Sequence, residues 1–123
     1  MPKCILIADD SETVRTIIRT FLESQAGFEV CGEAVDGVDA IEKAKTLKPD
    51  LIILDLAMPR INGAAAASIL KAMMPDVPII LFTMYDDAVG KSLASAIGVD
   101  VVLSKPDGIS QMAGHVQHLL GAA

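Results

Sequence analysis

Leu51-Ile52-Ile53-Leu54 is an unbroken aliphatic run that ends on one aspartate, Asp55. A strand that alternates apolar and polar residues can wet one face. A run with no polar residue has to be covered on both. Turn chemistry brackets the run, with Lys48-Pro49-Asp50 before it and Met58-Pro59-Arg60-Ile61-Asn62-Gly63 after it. Asp55 therefore stands where a doubly covered strand opens into a loop, the place where open α/β sheets collect ligands. A lone strand-end aspartate usually does no more than close the strand or cap the turn. Matching groups at the ends of other strands change that reading.

The pattern recurs along the chain. Cys4–Ala8 is a short apolar run closing on Asp9-Asp10. Ser11 is placed to cap a helix whose stripe is Val14, Ile17, Ile18, Phe21 and Leu22, with Gly27 as its stop. Phe28–Ala34 alternates and contains Gly32, as a shorter strand nearer the sheet edge does. Asp36-Gly37 marks a turn, and Val38, Ile41, Ala44 and Leu47 stripe a second helix ended by Pro49. Ala64–Met74 is rich in strong helix formers. Val77–Phe82 is a fourth strand, ending at Thr83. Asp86-Asp87 start a helix to Ile97, and Gly98 stops it. Val99–Leu103 is a fifth strand, ending at Ser104-Lys105-Pro106, and a last helix starts at Asp107 or Ser110 and runs to Leu120. Five β-α units with short connections predict an α/β fold: a doubly wound parallel five-stranded sheet, right-handed crossovers and helices on both faces. Neither a linker nor a repeat interrupts residues 1–123, which read as one domain.

Composition narrows the chemistry. At 123 residues, 52% hydrophobic but 3% aromatic with no Trp, the core must be aliphatic. A net charge of -6 argues against direct nucleic-acid binding by this domain and is compatible with a cation site. Cys4 and Cys31 have no metal-ligand spacing and read as buried free thiols in a reducing compartment. Met1-Pro2-Lys3 leads straight into a strand pattern, without a signal peptide, and no apolar run nears the roughly 20 residues of a membrane span. The expectation is a soluble cytoplasmic domain with no membrane partner.

In a parallel sheet all strand ends share one edge. Asp9, Asp10 and Asp55 would then meet there with the Thr83 hydroxyl and the Lys105 ammonium. Three close carboxylates repel one another, and a hard divalent cation relieves this. Mg²⁺ commonly takes one or two carboxylates plus waters and phosphate oxygens, which suits Asp10 and Asp55 as direct ligands with Asp9 behind a water. A cation beside Asp55 prepares that carboxylate for phosphoryl transfer, with Lys105 and Thr83 binding phosphate oxygens.

The motifs Ala8-Asp9-Asp10, Asp55-Leu56-Ala57-Met58-Pro59 with Gly63, Thr83, and Ser104-Lys105-Pro106 resemble those of the receiver domain of two-component response regulators, from about Ile5 to Leu120. The resemblance implies a flavodoxin-like fold with strand order 2-1-3-4-5 and five helices. It implies a phosphoryl group taken from a histidine kinase or phosphotransfer protein onto Asp55. It gives metal roles to Asp9, Asp10, Asp55 and the Ala57 carbonyl with Mg²⁺ as cofactor, the switch hydroxyl to Thr83 and the phosphate-binding cation to Lys105. The Lys105-Pro106 bond would be the one usually cis in this family. Output would pass to a downstream effector through the face of the fourth helix, fifth strand and fifth helix, with homodimerisation on phosphorylation as one route. Phe28–Gly37 and Lys48–Asp55 are similar to receivers of LuxR-type regulators. No output domain follows in this sequence, which leaves a stand-alone receiver and a fragment both open.

Departures from the pattern set further expectations. Val102 stands where the family usually has an aromatic, so either signalling shifts the fourth helix and its preceding loop without a rotating ring, or Val102 just packs and the backbone still moves. Bulky Met84 would hinder access to Asp55, and Tyr85 would either substitute for the missing aromatic or simply cover the pocket mouth. His115 and His118 read as a solvated helix face, the methionines as core filler, and Lys3, Arg15 and Arg19 as solvated. A phosphatase would need a second aspartate two residues after Asp55, where Ala57 stands. A flavin site would not place two acids where the cofactor phosphate binds. The domain is thus expected to be a switch and not a metabolic enzyme; the alternative is a phosphate-independent protein-interaction module.

Overall fold

The computed structural model describes residues 3–25, 27–55, 63–83, 101–104 and 108–120. In chain order these form β1 (Lys3–Ala8), α1 (Glu12–Glu23), β2 (Phe28–Ala34), α2 (Gly37–Leu47), β3 (Leu51–Asp55), α3 (Gly63–Met73), β4 (Ile79–Thr83), β5 (Val101–Ser104) and a last helix, Gly108–Leu119. All strand pairs are parallel and the order is β2-β1-β3-β4-β5. The expected helix over 86–97 lies outside the described residues.

Strand alternation divides the core in two. Ile5, Ile7, Ile53, Ile80 and Phe82 point to one face and meet Ile18 and Leu22 of α1 and Met112 and Val116 of the last helix. Leu6, Ile52, Leu54, Ile79 and Leu81 point to the other and meet Ala40 and Ala44 of α2 and Ala66, Ala67 and Leu70 of α3. Every residue of β3 is buried, as its uninterrupted apolar run demands. Each large aliphatic side chain so buried stabilises the fold by about 1.5–3 kcal/mol. Alanines on α2 and α3 let those helices approach the sheet closely. Among the described residues no helix is long and apolar enough to cross a membrane.

Element ends follow local chemistry, in places unlike that expected. Ser11 caps α1, its Oγ accepting from Val14 N at 3.3 Å. The helix stops at Glu23, well before Gly27, whose φ of 94° serves the turn into β2. Asp36 is a helix cap as well as a turn residue: its Oδ1 accepts from Asp39 N at 2.8 Å. Lys48, at φ 49°, closes α2 in the left-handed region before Pro49 is reached. Asp50 then fixes the start of β3, its N donating to Cys4 O and its Oδ2 accepting from Cys4 N, both at 2.7 Å.

The cysteines overturn the free-thiol expectation. Cys4 and Cys31 form a disulfide between β1 and β2, with Cα atoms 5.4 Å apart. A bulge stands beside it. Ile5 pairs with Val30 but Leu6 pairs with Gly32, so Cys31 is an extra residue in β2. Cysteine spacing carries no trace of such an irregularity.

Candidate functional site

The strand register sets one edge of the sheet. Ala8 pairs with Leu54, Asp55 with Phe82 and Thr83 with Ser104, so β1, β3, β4 and β5 all end there. Asp9 extends the β1–β2 ladder by one bond, its N donating to Ala34 O at 3.0 Å. The chain then turns into the α1 cap, and Asp9 Oδ1 accepts from Ser11 N at 2.8 Å. That turn buries Asp9, 1% exposed, and leaves Asp10 in solvent; Asp55 at the end of β3 is 4% exposed.

Carboxylate oxygens of Asp9, Asp10 and Asp55 lie within 4.8 Å of one another. An all-oxygen anionic donor set suits a hard divalent cation and not a soft metal. Asp10 is exposed, while burial of Asp55 places it in a lower dielectric, where charge interactions are stronger. The α1 N-terminus lies beside the cluster and favours negative charge.

Sequence reasoning thus brought together the three acids that the structure gathers, with Thr83 ending the neighbouring strand. Ala57, Met84, Tyr85, Lys105 and Pro106 lie outside the described residues, and Val102 is placed in β5 opposite Leu81. On the last helix His115 is half-buried and His118 exposed.

One reading is corrected. Arg15 is not solvated: it is 9% exposed, with Nη1 donating to the Asp9 carbonyl at 2.5 Å and Nε to Glu33 Oε1 at 2.9 Å. Arg19 is more open, yet Nη2 and Nε hold Glu33 Oε2 at 2.6 and 2.8 Å. Burial pushes the Glu33 pKa up, but Arg19 and Arg15 outweigh it and hold the carboxyl below its ordinary value. Helical periodicity places Arg15 in register with Ile18 and Leu22, at i, i+3 and i+7, but a charged side chain reads as solvated, and the partners that draw it inward come from β2 and the end of β1. The available hint was that spacing with Ile18 and Leu22.

Comparison with known proteins agrees with this geometry. Residues 5–117 match the family described as the response regulator receiver domain. The chain is 40% identical over 115 residues to the response regulator protein VraR of Staphylococcus saprophyticus, covering 92% of this chain and 54% of that protein. It is 34% identical over 120 residues to the alkaline phosphatase synthesis transcriptional regulatory protein PhoP of Bacillus subtilis, covering 98% and 49%. The chain thus spans about half the length of these relatives. Its fold superposes on the response regulator domain of Thermotoga maritima CheB with a TM-score of 0.85 at 29% identity, covering 100% of this chain and 96% of that one. On its motifs, its strand order and these matches, the chain belongs to the receiver domain family of two-component response regulators.

Proposed function

We propose that residues 1–123 form a single receiver domain that works as a phosphorylation-driven binding switch, with Asp55 as phosphoacceptor. The observation that carries this is the convergence of Asp9, Asp10 and Asp55 at one sheet edge, their oxygens within 4.8 Å. Asp10 and Asp55, supported by Asp9 and the Ala57 carbonyl, would hold Mg²⁺. When bound, that ion neutralises charge on the incoming phosphoryl group. An Asp55 carboxylate oxygen attacks the phosphorus of a phosphohistidine on a kinase or phosphotransfer protein. The new P–O bond makes an acyl phosphate as the P–N bond breaks, and the bonding pair leaves with the imidazole. Thr83 donates to one phosphoryl oxygen and Lys105 supplies a point charge to another. The phosphoryl group adds about two negative charges at the strand end. That charge biases the domain towards a downstream effector or a second copy. The domain thus modifies its own side chain and turns over no metabolite. We place it in the cytoplasm, as is typical of receiver domains, where the Cys4–Cys31 bond has to withstand the reducing thiol pool.

Acetyl phosphate with Mg²⁺ tests this. Intact mass should show one added phosphoryl group on the wild type and none on Asp55→Asn. Beryllofluoride should shift amide NMR signals at the ends of β3, β4 and β5. No mass gain and no shift would turn the reading to a phosphate-independent interaction module.

A further inference from the structure

Among the described residues, Arg15 is the charged side chain that packing has drawn furthest from solvent without an assigned role. Its guanidinium bridges three elements. Nη1 holds the carbonyl at the exit of β1, Nε holds a carboxylate on β2, and the side chain itself comes from α1. Glu33 is in turn held from outside by Arg19, and its own carbonyl accepts from Lys43 Nζ on α2. The arginine fork is therefore clamped at both ends.

What it clamps is the Asp9–Asp10 peptide. That carbonyl belongs to a rigid planar unit that includes the Cα atoms of both aspartates. Asp9 N is fixed to Ala34 O, and Asp9 Oδ1 to Ser11 N. With its carbonyl held as well, the unit has little freedom to rotate, and the directions in which both side chains leave the backbone are set. We propose that Arg15, braced by Glu33, is a positioning residue that aims the Asp9 and Asp10 carboxylates at a shared divalent cation. This rests on the reading of the acidic edge as a Mg²⁺ site.

Charge and geometry predict opposite signs here. A guanidinium this close to a cation site repels the cation, so if charge alone mattered its removal would tighten binding. If orientation matters, its removal weakens binding. Glu33 offsets much of the repulsion, and the fork geometry remains.

The experiment is a Mg²⁺ titration by calorimetry, repeated by amide NMR shifts at Asp9, Asp10 and Ser11, on wild type, Arg15→Gln, Arg15→Lys and Glu33→Gln. Melting temperatures monitor the fold. Loss of a partner that orients a ligand commonly weakens metal binding 10- to 100-fold. Arg15→Gln and Arg15→Lys should both weaken Mg²⁺ by about tenfold or more. Lysine keeps the charge but cannot span both acceptors, so it should not rescue. Glu33→Gln should weaken binding less, in the same direction, and carries the test with Arg15→Lys should Arg15→Gln fail to fold. Wild-type-like affinity in Arg15→Lys, or tighter binding in Arg15→Gln, overturns the brace and leaves the metal site standing. A wild type that binds no Mg²⁺ overturns the site and the brace together.

Discussion

Replacing Asp10 by Asn should stabilise the metal-free domain. The change removes one charge from a cluster whose oxygens lie within 4.8 Å of one another, and alters side-chain shape little. At that separation two unit charges repel by about 1 kcal/mol in water and by about 3–4 kcal/mol at an effective dielectric near 20. Asp10 is exposed whereas Asp9 and Asp55 are buried, so the lower figure is the better guide. The substitution relieves repulsion with both neighbours, and salt screens part of it. A gain of about 1–2 kcal/mol is expected, or roughly 3–8 °C in melting temperature for a domain of this size. The assay is urea unfolding followed by circular dichroism, at low salt, in chelator and then in Mg²⁺. In chelator the variant should be the more stable, by a margin that shrinks as salt rises. In Mg²⁺ at a hundred times its Kd the wild type should gain about 2.7 kcal/mol and overtake it. A variant no more stable than wild type in chelator would refute the claim that these carboxylates strain one another.

The Cys4–Cys31 disulfide joins residues 27 apart, and in the chain-entropy account closing such a loop stabilises by about 3–4 kcal/mol. Reduction should lower the urea midpoint by about 1–3 M, and Cys31→Ser should abolish the response to reductant; equal midpoints would contradict this. Because the folded-state pKa of Glu33 is depressed by Arg19 and Arg15 against the opposing effect of burial, its contribution is present above the ordinary glutamate value of 4.5 and is lost as pH falls through the lower folded value. Glu33→Gln should therefore flatten the stability–pH curve in that acid window, measured by urea unfolding at a series of pH values. Lys48→Gly should stabilise by about 1 kcal/mol, since Lys48 holds a left-handed φ of 49° that glycine adopts freely; a destabilised variant would show that its side-chain contacts matter more.

Much of this molecule was legible because hydrophobic period and strand polarity work together. The solid run of β3 required two covered faces, and the β-α alternation required a parallel sheet. A parallel sheet forces every strand end, and with it Asp9, Asp10, Asp55 and Thr83, to one edge. What escaped depended on register and on packing between distant elements. The Cys31 bulge shifts pairing by one residue and leaves no compositional signature. Arg15 looked like any helix-surface cation, because the groups that draw it inward come from the end of β1 and from β2. Asp36 and Lys48 were hidden behind stronger punctuation, Gly37 and Pro49, which made the turn visible and the cap invisible.

The bulge has one more effect. Strand β2 forms one rim of the sheet, where a bare row of backbone donors and acceptors would invite another chain to pair. At Cys31 that row loses its even spacing, and two residues on the Lys43 ammonium occupies the Glu33 carbonyl. An intruding strand finds neither a straight template nor a free acceptor at that carbonyl. Ribbon-like growth of copies through β2 is thereby disfavoured.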